Sequence, residues 1–150
     1  MSFIQAKEII ALSRREHLKM AEIVSELEDE WLSPRSRSLA EHVQKQQHQM
    51  ANYLKDYLES SGPAVLNAWF QNMPETKSPL SVLYDLDPAI MPQDLQTVFH
   101  RAYAFFSQRY LLVAQLSEST QVREMFSQIA RLGVHESEQF QWQAMEYHDI

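Results

Sequence analysis

The chain has 150 residues, long enough for one domain with a real core and too short for two comfortable ones. It contains no cysteine, which excludes disulfides, thiolate catalysis, cysteine zinc fingers and cysteine-held iron–sulfur clusters. A formal net charge of −7 removes the basic footprint that general nucleic-acid binding needs, and two glycines among plentiful Leu, Ala, Gln, Glu and Met point to helices.

The opening "MSFIQAKEIIALSRREHLKM" has no basic flank ahead of an apolar core, so no signal peptide is expected. No run approaches the roughly 18 apolar residues that span a bilayer. No membrane partner and a cytoplasmic location are the corresponding expectations. Hydrophobic spacing predicts a first helix from about Ser2 to Trp31, with Phe3, Ala6, Ile9, Ile10, Ser13, Glu16, His17, Met20, Val24 and Leu27 on one stripe. The acidic run Glu26, Glu28, Asp29 and Glu30 at its end reads as a solvated face, mildly opposed to the helix dipole.

"LSPRSRS" breaks the pattern, and Pro34 suits the first turn of a second helix from Pro34 to Ser60. Its inward residues are Leu39, Val43, Gln46, Met50, Tyr53 and Tyr57, and Gly62 and Pro63 stop it. A connection from Gly62 to about Met91 follows, with Pro63, Pro74, Pro79 and Pro88 but also the apolar clusters "VLNAWF" and "LSVLYDL". Such a segment is expected to pack down through short helical turns. The third helix is predicted from about Pro92 to Leu116, on Leu95, Val98, Phe99, Ala102, Phe105, Phe106, Leu112 and Val113. "SEST" offers a capping hydroxyl for a fourth helix from about Thr120 to Tyr147, on Val122, Phe126, Ile129, Gly133, Glu136 and Phe140. Two short connections around one long one predict two helical hairpins joined by a crossover, in an all-α bundle covering residues 1–150.

An internal echo runs through this plan. "SLAEHVQKQQHQM" aligns with "QIARLGVHESEQF" at a constant offset, so that Leu39-Ala40 falls on Ile129-Ala130, Val43 on Gly133 and Gln46 on Glu136. On these two strings, and on "ALSRREHLKMAEIVSELEDE" as a first helix, the chain resembles the ferritin-like superfamily, in particular its rubrerythrin-like branch. The resemblance implies a ferritin-like four-helix bundle. It also implies a dimetal site, with a Leu/Ile-Ala-x-x-Glu-x-x-His motif on the second and fourth helices and a further glutamate on the first and third. Spacing of i, i+3 puts each carboxylate and imidazole on one helix face.

Carried over residue by residue, the implied glutamate positions are Val43 and Gly133, and the implied histidine positions are Gln46 and Glu136. The first-helix position falls near Ser13, with Glu16 one turn later. The third-helix position falls at Tyr103, with His100 one turn earlier. Val43 and Gly133 have no donor, and Glu136 alone is a good ligand type among the four motif positions. Taking His48 as a shifted histidine makes Lys45 its partner, and a lysine repels a metal ion. His135 and Glu136, although adjacent, point about 100° apart on a helix.

The expectation is a degenerate dimetal site, with no metal or cofactor favoured. In its place would stand a buried polar layer in which His17 or Arg109 hydrogen-bonds Glu136 while Gln46 and Ser13 satisfy the rest. His42, His48, His135 and His148 read as surface or boundary residues. The leading function is a non-enzymatic binding or interaction module. One alternative is a metal-dependent oxidoreductase of di-iron type, holding iron or another divalent metal on a rearranged set of Glu16, His17, His48, His100 and Glu136. Another is a binder of a small apolar ligand, using the aromatic crossover around Trp69, Phe70 and Tyr84 as a lid, although rings pinning the crossover to the bundle explain the same residues. A homodimer through helical faces is implied by the resemblance. No nucleophilic triad, glycine-rich phosphate loop or HExxH string occurs.

Overall fold

In the computed structural model, which describes residues 3–71, 73 and 78–148, the elements follow as β1 (Phe3–Gln5), α1 (Ala6–Glu28), α2 (Pro34–Ser60), α3 (Pro63–Leu66), β2 (Trp69–Gln71), α4 (Leu80–Leu83), α5 (Pro92–Leu116) and α6 (Thr120–His148). The chain is mostly helical, as its composition predicts. Among the described residues no helix is long and apolar enough to cross a membrane. Pro74, one of the expected breaks in the crossover, and the side chain of His148 lie outside the described residues.

Local chemistry sets the helix ends. Ser33 Oγ accepts from the Ser36 N–H at 3.4 Å, with Pro34 in the first turn of α2. Ser119 Oγ accepts from the Val122 N–H at 3.4 Å, which makes "SEST" the start of α6. At α1, Glu8 Oε2 reaches back to the Gln5 N–H at 2.9 Å, half of a capping box.

The first helix is shorter than its apolar stripe suggests. Phe3–Gln5 is extended and pairs antiparallel with β2, with Ile4 opposite Phe70, and the Ala6 N–H continues the ladder to the Ala68 carbonyl at 2.8 Å. Phe3, expected inward, is 57 % exposed and stands edge-on to Trp69. Hydrophobic spacing cannot see this pairing, because the partner strand lies far along the chain. At the other end α1 stops at Glu28, where further acidic residues would oppose the helix dipole. Trp31 then leaves the helix and is buried edge-on to Phe99.

α1 packs chiefly on α2 and α5 chiefly on α6, while α2 also touches both α5 and α6. One apolar cluster runs through all four long helices and takes in Phe70, Leu80 and Leu83 of the crossover. The crossover is therefore held by Phe70, edge-on to Phe126, and by the two leucines of α4. Trp69 and Tyr84, expected as pinning rings or a lid, are both exposed.

Candidate functional site

Within this apolar cluster, each long helix contributes polar side chains to the interior: Ser13 and His17 from α1, Gln46 and Gln47 from α2, Tyr103 and Tyr110 from α5, and Glu136 from α6. Their spacing explains why they meet. Ser13 and His17 are i, i+4 on one face, as Tyr103 and Tyr110 are two turns apart on another. Buried polar groups must find partners or cost stability.

His17 finds two. Its Nδ1 lies 2.6 Å from Gln47 Oε1 and its Nε2 lies 2.6 Å from the Tyr110 hydroxyl. An amide oxygen only accepts, so Nδ1 carries the proton and donates to Gln47, and Nε2 accepts from Tyr110. The ring also stacks on Phe106 at 3.9 Å between centroids. Burial lowers the His17 pKa from 6.5 to about 4; the bond to Gln47 opposes the shift and the Arg109 guanidinium adds to it. The imidazole is neutral at pH 7, and both nitrogens are already engaged. Burial likewise pushes the Tyr110 phenol above its ordinary range, with the Ser13 hydroxyl acting against it.

Gln46 organises a second set. Its Nε2 donates to the backbone carbonyl of Glu136 at 2.7 Å, and its Oε1 accepts from the Tyr103 hydroxyl. The Tyr103 phenol is raised by burial and by the Glu136 charge, while the neighbouring Gln47 amide draws it down. Gln47 Nε2 is buried without a hydrogen-bond partner. The Glu136 carboxyl pKa is raised by burial, against the pull of His135 and Gln46. One of its oxygens, Oε2, is buried without a hydrogen-bond partner.

The residues expected to form the polar layer thus divide differently from the sequence reading. Neither His17 nor Arg109 bonds Glu136. Arg109 lies 3.0 Å from Glu16 as an ion pair, reaches Ser13 Oγ at 3.4 Å and crosses the Phe105 ring. Gln46 does meet Glu136, but at its main chain rather than its carboxylate. Gln47 and Tyr110, the two partners of His17, were not expected there. The repeat of Ala40, Gln47 and Leu54 at seven-residue intervals on α2 was the available signal for Gln47, and Tyr110 stands one turn beyond Phe106.

The rearranged ligand set does not come together. His48 and His100 are exposed, and His100 Nδ1 is 3.1 Å from Gln141 Nε2. Glu16 is taken up by Arg109. Among the described residues, no group of three or more His, Asp or Glu side chains is placed to share an ion. At the positions implied by the resemblance stand Ser13, Val43, Gln46, Tyr103, Gly133 and Glu136, with a single carboxylate among them. A two-ion centre needs several anionic or imidazole donors, and this donor set does not fit one. At Gly133 the helices also approach closely: a Cβ built there would stand 3.2 Å from Ser107 Oγ. No family model, curated protein or solved structure matches the chain.

Proposed function

We propose that this chain is a ferritin-like four-helix bundle, two helical hairpins joined by a crossover, whose dimetal site has degenerated into a hydrogen-bonded polar layer. On this reading it works without chemistry of its own, as a binding or interaction module. The observation that carries it is the double engagement of His17 by Gln47 and Tyr110. The best ligand-type side chain in the interior has no free lone pair to offer. Support also comes from the offset alignment, which makes Gln46 and Glu136 equivalent positions on α2 and α6, the same depth at which the Gln46 amide bonds the Glu136 main chain.

The rival reading, a metal-dependent oxidoreductase, draws on the unpartnered Glu136 Oε2. Elemental analysis of protein purified without chelator, followed by iron(II) titration, separates the two. The degenerate-site reading expects no stoichiometric metal and an unfolding midpoint unchanged by iron or chelator. Stoichiometric iron that disappears in Glu136→Ala would establish the rival instead.

A further inference from the structure

The outer surface of α6 is poor in charge and carries exposed apolar side chains. From Ser127 to Met145 its charged residues are Arg131, Glu136 and Glu138, and Glu136 is buried. In a chain of net charge −7, this face therefore presents one cation and one anion. It also presents three large apolar side chains to solvent: Val134 at 43 %, Trp142 at 68 % and Met145 at 61 % exposure. At 100° per residue, Ser127, Arg131, Val134, Glu138, Trp142 and Met145 fall within an arc of about 80° and form one seam. Beside it runs a shallow groove of about 300 Å³, floored by Leu111 of α5 with Ala130 and Val134 of α6.

The seam is complementary to itself. About a two-fold axis between Val134 and His135, two antiparallel copies of α6 set Arg131 of each against Glu138 of the other. The same axis sets each Trp142 against Ser127 of the other copy, a small residue at the edge of the groove. Met145 then lies opposite Glu124, an exposed acidic residue just outside this charge-poor stretch. Charge-poor surfaces carrying exposed Trp, Met and Arg have the composition of interface cores, and Trp and Arg are the usual anchors. Two copies of an acidic chain repel one another least where a surface is locally neutral.

We infer that this face of α6 is a homodimer interface, in which Trp142 of one copy seats in the Ser127–Val134 groove of the other and two Arg131–Glu138 pairs fix the antiparallel register. The inference is independent of the reading of the interior, since no interface residue belongs to the polar layer.

Sedimentation velocity and light scattering over a concentration series test it, with circular dichroism to verify folding. The wild type is expected to be a dimer with a measurable dissociation constant. Trp142→Ala should raise that constant about 30-fold or more. Arg131→Glu and Glu138→Arg, each alone, should raise it about tenfold by facing like charges across the axis, and the double reversal should restore dimerisation. A wild type that stays monomeric at millimolar concentration overturns the inference and leaves the face to a different partner. A dimer indifferent to Trp142→Ala and to the single reversals also overturns it.

Discussion

The two halves of the buried polar layer follow opposite rules. Around His17 both ring nitrogens have partners, and the ring is clamped against Phe106. Around Glu136 the Gln46 bond goes to the main chain, and a carboxyl oxygen is left buried and unpaired. The difference shows which half stabilises the fold. A buried imidazole with both nitrogens engaged favours one packing of its helices, although Gln47 Nε2 is left without a partner, whereas an unpaired buried carboxyl oxygen works against it. Gln46 anchors the backbone of α6 to α2, so the register of that helix does not depend on the Glu136 side chain.

Removing His17 should have the largest effect. His17→Ala deletes a buried ring, its stack on Phe106 and two hydrogen bonds, and strands Gln47 Oε1 and the Tyr110 hydroxyl. Denaturant unfolding should record a loss of about 3 kcal/mol or more. Tyr110→Phe, which orphans His17 Nε2 and takes the phenol away from the Ser13 hydroxyl, should lose about 1–3 kcal/mol in the same assay.

Acid should act next. The folded-state pKa of His17 lies below its unfolded value, so the unfolded chain takes up the proton first as pH falls. Its contribution is full above pH 6.5 and is lost progressively as pH drops to about 4. The loss amounts to roughly 3 kcal/mol, and a stability–pH profile should lose that slope in His17→Ala. Glu136 has the opposite sign. Its raised pKa favours the protonated form in the fold, so its ionised form costs stability at neutral pH and the cost is relieved in acid.

It follows that Glu136→Gln should raise stability at pH 7 by about 1 kcal/mol, where His17→Ala lowers it. A destabilised Glu136→Gln protein would erase the contrast between the two halves. The smallest expected effect is at Gly133. Alanine there gains about 1 kcal/mol of helix propensity but crowds Ser107 Oγ. Gly133→Ala alone should therefore be close to neutral, and stability should rise above wild type once Ser107→Ala removes the obstructing oxygen.

Much of this architecture was legible in the residues. The stripe of α6, from Val122 through Ile129 and Glu136 to Phe140, is buried as spaced, and Pro34 and Pro92 mark the starts of α2 and α5. These signals are local, written in periodicity and capping chemistry. The β1–β2 pairing was hidden because Phe3 and Ala6 read as consecutive positions of a helical stripe, and their extended partner lies in the crossover. Within the layer, the inward placing of Gln46 and Glu136 followed from helical spacing, but the bond from the Gln46 amide to the Glu136 main chain did not. Nor did the His17 contacts, because Gln47 and Tyr110 lie on two different neighbouring helices and only their relative rotation brings both to one ring. Polar residues on an apolar face announce that partners exist, but not which ones.

The most direct test of the interior is nitrogen NMR of the His17 ring across pH, with and without added iron(II) or zinc(II). The expected result is a neutral ring protonated on Nδ1, titrating only near pH 4, with resonances unmoved by metal. A ring that titrates near its ordinary value of 6.5, or whose Nε2 signal shifts on adding either ion, would contradict a His17 ring fully engaged by Gln47 and Tyr110.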